Sequence, residues 1–198
     1  IISDAGNIDA TMQTRLEKVK KIISEVGLLA EHLTRYPHEF SGGQRQRIGV
    51  ARAIACNPRL IVADEPVSAL DLSVQAQVLN FMKQIQKEFN ISYLFISHDL
   101  GVVKHMCDYI YIMYRGRIVE RGTREDIYNN PQHIYTKRLI AAIPSTNLDK
   151  AKEIIEVRKV VEAEYNEHYN DYFDRDGRVY PLKKLTDTHY VAMKGGEV

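Results

Sequence analysis

The stretch Leu60-Ile61-Val62-Ala63-Asp64-Glu65-Pro66 decides the fold class of this chain of 198 residues. Its first four residues form an apolar run that is too short for a helix and is bounded by turn-forming residues. Such a run is typical of a strand that is buried on both faces of a parallel sheet. Two carboxylates follow where the strand ends, at the edge where parallel sheets bind their ligands.

The residues that follow predict a helix and then a second strand. Ser73 to Phe89 carries apolar residues on one helical face, and Ile91 to Ile96 is another apolar run rich in β-forming residues. A strand, a helix and a strand in this order indicate a right-handed crossover between parallel strands. The predicted fold class is therefore α/β.

The residues before the first strand predict two helices joined by a loop. Apolar residues recur at helical spacing from Thr11 to Leu29, and Thr34 to Phe40 is expected to be a loop. A second helix is expected from Gly43 to Cys56, where Asn57-Pro58 stops it.

The residues after the second strand predict a hairpin, which we expect to close the same sheet. Its strands are Tyr109 to Tyr114 and Arg117 to Arg121, joined at Arg115-Gly116. Two short helices should follow, from Thr123 to Asn129 and from His133 to Ile143.

The character of the sequence changes at Ser145. Lys150 to Tyr172 is a charged helical stretch, and Asp174 to Val191 holds turn signals and short β-like runs. We therefore divide the chain into three segments. Residues 1–57 form a helical subdomain, residues 58–144 form the part of the core that holds the two strand-end motifs, and residues 145–198 form a C-terminal appendage.

The composition of the chain argues against several classes of protein. Lys and Arg number 27 and Asp and Glu 26, so the net charge of +1 gives no field that favours nucleic acid or an anionic membrane surface. No stretch approaches the ~20 apolar residues of a membrane helix, and no leader resembles a secretory signal. Cys56 and Cys107 form no C-x-x-C pair, so we expect reduced, buried thiols and no zinc or redox motif.

Ser41, Gly42 and Gly43 stand at the expected entrance of a helix. The first-turn amides of a helix lack partners and its dipole favours negative charge, so this position suits a phosphate group. The same residues are also ordinary capping chemistry, and alone they do not decide between the two interpretations.

Asp64, Glu65 and His98 follow the two predicted strands directly. An aspartate there suits a magnesium ion held through water, and the next carboxylate can deprotonate an attacking water. A neutral imidazole at the same edge could contact a terminal phosphate. The alternatives are solvated turn carboxylates and a structural histidine, but the order of all these patterns favours a shared site.

Four motifs together resemble a known family. The order S-G-G-Q-R-Q-R from Ser41, L-I-V-A-D-E-P from Leu60, S-A-L-D from Ser68 and S-H-D from Ser97 is similar to the C-terminal portion of an ATP-binding cassette (ABC) ATPase subunit. The likeness covers about Leu16 to Pro144. It implies a P-loop NTPase-like core, with an incomplete parallel sheet flanked by helices, a helical subdomain and a C-terminal α+β appendage.

The resemblance implies ATP and Mg²⁺ as cofactors and a role for each motif residue. Asp64 would hold Mg²⁺ through water, Glu65 would be the catalytic base and His98 the switch histidine. Asp71 would lie in the D-loop at a dimer interface. The signature motif would contribute four residues to the partner's ATP in trans, namely Ser41, Gly42, Gly43 and Gln44.

A narrower resemblance concerns the later part of the chain. P-Q-H-I-Y-T from Pro131 and His189-Tyr190-Val191-Ala192 resemble ATPases that energise oligopeptide and dipeptide importers, although Ile134 replaces a usual proline. Some of those proteins carry a cysteine-rich iron–sulfur motif, but no cysteine follows Cys107, so we expect no cluster. The implied partners are a second ABC ATPase subunit, identical or different, and transmembrane permease subunits. The implied location is peripheral, on the cytoplasmic face of the cell membrane.

The phosphate-binding loop G-x-x-x-x-G-K-[ST] does not occur in the 198 residues. We therefore expect the chain to be part of a longer ATPase, to be inactive alone, and to complete a partner's ATP site. Without the strand that carries the phosphate-binding loop, we expect one edge of the parallel sheet to be uncovered. This would also make the chain marginally stable. Two alternatives stay open: a non-catalytic ABC-type module, and a soluble ABC ATPase of DNA repair or translation that is not linked to transport.

Overall fold

The first part of the protein combines helices with a small parallel sheet. The computed structural model describes residues 12–143 and 151–196, which divide into two units between His98 and Asp99. The elements of the first unit are helix α1 (Met12–Glu25), helix α2 (Gly42–Ile54), strand β1 (Leu60–Asp64), helix α3 (Leu72–Phe89) and strand β2 (Ser92–Ile96).

Local signals set the ends of these helices. Gly27 takes a φ of +69° just after α1, and Asn90 takes a φ of 48° at the end of α3. Both residue types tolerate this left-handed conformation, which stops a helix. The connection before α2, predicted to be a loop, contains the short 3₁₀ turns Ala30–Thr34 and Pro37–Glu39. The predicted start of α1 at Thr11 lies outside the described residues.

The core of the first unit lies between its helices. Helix α2 packs against both α1 and α3. The buried apolar side chains of this region include Val26, Val50, Ile54, Val78, Met82 and Ile85. The helical spacing seen in the sequence from Ser73 to Phe89 therefore marks the buried face of α3.

Strands β1 and β2 pair in parallel, as the strand–helix–strand order predicts. The register runs from Leu60 opposite Ser92 to Asp64 opposite Ile96. Both strands therefore end at the same edge of the sheet, and the residues that follow them meet there.

One face of this sheet is exposed, so the expectation of a strand buried on both faces was wrong. Ala63 is buried, but Leu60 and Val62 on the opposite face are 55% and 60% exposed. Their neighbours Leu94 and Ile96 on β2 are 52% and 46% exposed. Alternate residues of a strand point to opposite faces, and nothing among the described residues covers this second one. We call these four residues the apolar sheet face.

The second unit is an antiparallel sheet with five helices among its described residues. Its elements are helix α4 (Leu100–Met106), strand β3 (Tyr109–Tyr114), strand β4 (Arg117–Thr123), helix α5 (Arg124–Asn129), helix α6 (Ile134–Ala141), helix α7 (Ala151–Glu167), helix α8 (Tyr169–Tyr172), strand β5 (Leu182–Lys184) and strand β6 (Tyr190–Ala192). The strand order is β3-β4-β6-β5. Its apolar core includes Ile110, Ile112, Val119 and Ile127.

The predicted hairpin forms but does not close the parallel sheet. β3 and β4 pair antiparallel, as expected from the turn at Arg115-Gly116. However, β4 then pairs with β6, so that Glu120 lies opposite Val191 in a separate sheet. The edge of β4 bonds to a strand about seventy residues later, a pairing for which the hairpin sequence holds no local signal.

A buried carboxylate joins three parts of the second unit. The Glu120 side chain is fully buried and accepts hydrogen bonds from the amides of Gln132 (2.8 Å) and His133 (3.1 Å). The same carboxylate contacts Nε2 of buried His189 at 2.7 Å. Asp126 Oδ1 lies 3.9 Å from the other ring nitrogen, Nδ1. We call Glu120, Gln132, His133 and His189 the Glu120 network.

Helix α7 contacts α6 through polar groups. Arg158 donates from Nε to the Ala141 carbonyl (2.8 Å) and from Nη2 to the Ala142 carbonyl (3.1 Å), so a cation satisfies the end of α6. An Arg138–Glu162 ion pair of 2.8 Å joins the same two helices.

The division into segments 1–57, 58–144 and 145–198 stays a prediction. The residues around its second boundary, Pro144 to Lys150, lie outside the described part of the chain. The prediction for the thiols was wrong for Cys56, which is exposed, because it follows the end of α2 at the surface; Cys107 is half-buried. Across residues 12–143 and 151–196, no helix is both long and apolar enough to cross a membrane.

Candidate functional site

The entrance of α2 is a capping box. Ser41 Oγ accepts a hydrogen bond from the Gln44 amide (3.2 Å), and the Gln44 side chain accepts one from the Ser41 amide (2.9 Å). The Ser41 hydroxyl keeps its own hydrogen for another acceptor, because here it acts only as an acceptor. The amides of Gly42 and Gly43 belong to the first turn, where a helix offers no carbonyl partner. Together these groups form a set of donors suited to an anion.

The two arginines of this motif have structural partners instead. Arg45 Nη1 donates to the Phe40 carbonyl at 2.6 Å, which fixes the approach to the helix. Arg47 Nη1 donates to the Val26 carbonyl at 3.1 Å, and its guanidinium lies 4.7 Å from the ring centre of Phe81. The motif therefore also ties α2 to its neighbours, a role that the sequence analysis did not identify.

The first-turn glycines lie close against other side chains. A Cβ atom at Gly42 would be 2.9 Å from Leu70 Cδ2, and one at Gly43 would be 2.8 Å from Val74 Cγ1. Neither glycine is among those with a positive φ, so the backbone alone does not require glycine here. At Gly43, the close packing of α2 on the start of α3 therefore leaves room only for hydrogen.

Glu65 follows β1 in a strained backbone conformation. Its φ is +45°, in the left-handed region, which costs a non-glycine residue about 1–2 kcal/mol. Its amide donates to the Ile96 carbonyl at 2.9 Å, so the end of β2 fixes the turn. Strain of this kind collects at functional positions, where the surrounding contacts enforce it.

The Glu65 carboxylate meets the His98 ring. Oε1 of Glu65 and Nδ1 of His98 lie 2.9 Å apart, with the two side chains 47% and 73% exposed. When Nδ1–H donates to this carboxylate, Nε2 of a neutral ring is left as an acceptor, and only the charged ring offers a second N–H. The expectation that these two residues lie close together is confirmed.

A short turn leads from the strand end to α3. Ser68 donates from its amide (3.3 Å) and from its hydroxyl (3.1 Å) to the Glu65 carbonyl. Asp71 occupies the N-cap position of α3, yet its exposed side chain makes no capping hydrogen bond. An aspartate at this position normally bonds the helix amides. The Asp71 carboxylate is thus available to a group outside the helix.

The donor set at the strand end suits a hard cation that keeps water or phosphate ligands. Asp64 and Glu65 are exposed carboxylates, and magnesium prefers oxygen ligands with few protein groups. In the part of the chain that the structure describes, no group of three or more His, Cys, Asp or Glu side chains could hold a metal ion. Asp64 alone would be a ligand of the kind that acts together with a substrate's phosphates.

Comparison with known proteins gives consistent similarities. The family model described as ABC transporter matches residues 3–68. The oligopeptide transport ATP-binding protein OppF of Lactococcus lactis subsp. lactis is 56% identical over 197 residues, which cover 99% of this chain and 61% of that protein. The dipeptide transport ATP-binding protein DppF of Lactococcus lactis subsp. cremoris is 45% identical, with 95% and 57% covered. The chain therefore spans about three fifths of the length of these relatives.

Solved structures show the same fold. MJ1267, described as an ATP-binding cassette of an ABC transporter in its ADP conformation, is 27% identical with a TM-score of 0.53, over 61% of this chain and 48% of that one. The structure of cbiO1 from Clostridium perfringens, described as part of an ABC transporter complex, has a TM-score of 0.56 over 76% and 58%. At 24% identity, the second likeness concerns the fold alone.

Proposed function

We propose that the chain belongs to the ABC transporter family of ATP-binding proteins, and that it is part of an ATPase subunit that energises the import of oligopeptides or dipeptides. The names of its relatives, which concern oligopeptide and dipeptide transport, support this substrate class. The partners we propose are a second ABC ATPase subunit and transmembrane permease subunits. We place the assembly's ATPase on the cytoplasmic face of the membrane, peripherally.

The strand-end residues serve the nucleotide of their own subunit in this proposal. Asp64 is the residue that would hold Mg²⁺, through water, and the ion would supply positive charge beside the phosphates. Glu65 accepts a proton from the attacking water, and its contact with His98 fixes the direction of the carboxylate. The His98 ring lies at the same edge and contacts the terminal phosphate, which positions the attacking water.

The capping box serves the partner's nucleotide. The Ser41 hydroxyl and the first-turn amides of Gly42 and Gly43 donate to phosphate oxygens, and Gln44 holds Ser41 in place. Asp71, free of its capping role, takes part in the interface between the two subunits. On this proposal, the 198-residue chain completes a partner's ATP site but does not hydrolyse ATP alone.

The 2.9 Å contact between Glu65 and His98 at the end of the parallel strands carries the proposal. The test uses the full-length protein that contains this chain, assembled with its partner subunit. Glu65→Gln should lower ATP hydrolysis by about 10²-fold or more, as expected for loss of a general base, while Mg-ATP still binds. Glu88→Gln, at an exposed glutamate of α3, is the matched control. Equal rates for Glu65→Gln and the unsubstituted assembly would refute the catalytic role.

The isolated chain provides a second test. A titration with Mg-ATP should show no binding at micromolar concentrations, because the chain lacks a phosphate-binding loop of the usual sequence. Micromolar affinity would overturn the proposal that the chain supplies only half of each site.

A further inference from the structure

The glycine at position 43 is required by a neighbour within the same chain. Gly43 lies in the first turn of α2 with a helical backbone, a conformation that every residue adopts. Glycine in a helix also costs stability relative to alanine, so some other constraint must favour it. The constraint visible in the structure is the 2.8 Å between the position of a Cβ atom and Val74 Cγ1.

Val74 cannot easily move away from this contact. It is a β-branched residue in α3, and such side chains have one strongly preferred rotamer in a helix. Behind it, Val78 is 1% exposed, and its Cγ2 atom would lie 3.9 Å from the same Cβ position. Leu70, the neighbour of Gly42, differs from Val74 in this respect. The atom that a Cβ at Gly42 would meet is Cδ2, at the far end of the Leu70 side chain, which is half-buried, is not branched at Cβ and can rotate away.

We propose that Val74 is a positioning residue of the phosphate-binding end of α2, and that position 43 must be glycine because of Val74 and not because of the nucleotide. Val74 sets how closely the first turn of α2 sits on α3. The amides of Gly42 and Gly43 are thereby held at a fixed place relative to Asp71, three residues before Val74. This inference rests on the proposed function of the capping box.

Substitution and compensation test the packing in the 198-residue chain. Gly43→Ala should destabilise it, and adding Val74→Ala should restore part of the loss, since removal of two methyl groups makes room for one. Each substitution changes the unfolding equilibrium constant by some factor. The factor for the double variant should differ by about tenfold from the product of the two single factors, as expected for residues in contact. Independent effects of the two substitutions would overturn the packing argument. Val160→Ala, at an exposed valine of α7, is the matched control.

The positioning role is tested in the full-length assembly. Val74→Ala should raise the KM for ATP several-fold with little change in kcat, and Val74→Thr, which keeps the branched shape, should leave KM nearly unchanged. Gly43→Ala should lower kcat/KM about tenfold or more, and the double variant Gly43→Ala/Val74→Ala should recover most of it. A double variant as inactive as Gly43→Ala would show that the nucleotide itself requires the glycine.

Measurements on the same assembly distinguish a failure of the proposed function from a failure of the positioning role of Val74. Hydrolysis that is insensitive to Glu65→Gln refutes the proposed function and the positioning role with it. Hydrolysis that depends on Glu65, with no change in KM for Val74→Ala and no recovery in the double variant, refutes the positioning role alone.

Discussion

His133 is a buried neutral base. Its side chain is fully buried, and burial lowers the pKa of the imidazole to about 3. Its Nδ1 accepts a hydrogen bond from the Tyr135 amide at 3.1 Å, which protonation would remove. An unfolded chain binds a proton at this residue below its ordinary pKa of about 6.5. The stability that depends on the neutral ring is therefore present above that pH and is lost as the pH falls toward the folded value.

A pH series measures this effect. Between pH 7 and pH 5, the unsubstituted chain should lose about 2 kcal/mol more unfolding free energy than His133→Gln, because only the unsubstituted unfolded state takes up that proton. Urea titrations at the two pH values give the difference. His38→Gln, at an exposed histidine, is the control substitution. Identical pH dependence for His133→Gln would contradict the burial argument.

The two thiols should differ in reactivity. Cys56 is exposed, whereas burial, reinforced by the nearby Asp108 carboxylate, raises the pKa of the Cys107 thiol. Since the thiolate is the reactive form, Cys107 should react with a disulfide reagent at pH 8 more slowly than Cys56, by about tenfold or more. Cys56→Ser should abolish the fast phase and Cys107→Ser the slow one. A single rate for both thiols would contradict the difference in burial.

At the scale of elements, the Glu120 network holds β4, α6 and the residue before β6 together. One carboxylate is bonded to the amides of Gln132 and His133 and to the ring of His189. Glu120→Gln keeps the shape but removes the charge and one acceptor, so it should cost about 2–4 kcal/mol of unfolding free energy. The denaturation midpoint measures the loss. Glu125→Gln, at an exposed residue of α5, should change stability by less than about 0.5 kcal/mol.

The sequence predicted most elements but not all of their partners. The run from Leu60 to Ala63 and the hairpin turn at Arg115-Gly116 are local signals, and the strand and the turn that they predict were both confirmed. The pairing of β4 with β6 depends on contacts between distant residues, as does the burial of Glu120, which the charge of the side chain does not suggest. Periodicity shows which residues share a face, but it does not show whether that face is covered.

The same distinction applies to the candidate site. The order of motifs predicted that Glu65 and His98 meet, because parallel strands end at one edge. The partners of Gly43 and Arg47 could not be predicted, since Val74 and Phe81 come close only when α2 and α3 pack together.

At the scale of the whole molecule, the apolar sheet face should cause self-association. Leu60, Val62, Leu94 and Ile96 are each about half exposed or more in one contiguous patch on two paired strands. Such patches on an open sheet promote association of protein copies. The isolated 198-residue chain should therefore grow in apparent mass with concentration in size-exclusion chromatography with light scattering.

Substitution within the patch checks the cause. Val62→Lys places a charge at the centre of the apolar sheet face and should shift the chain toward monomer at a given concentration. Val160→Lys, at an exposed valine on α7, should leave association unchanged. A strictly monomeric unsubstituted chain with a cooperative, high-temperature melt would contradict both this prediction and the marginal stability expected from the sequence.

The left-handed backbone at Glu65 also bears on how such a protein would change over generations. Glycine or asparagine would relieve the strain at this position, so folding alone disfavours the glutamate that is present. On the catalytic role proposed for Glu65, selection for hydrolysis opposes drift toward those residues. We expect that descendants released from that selection would acquire glycine or asparagine at position 65 early, and that they would be more stable for it.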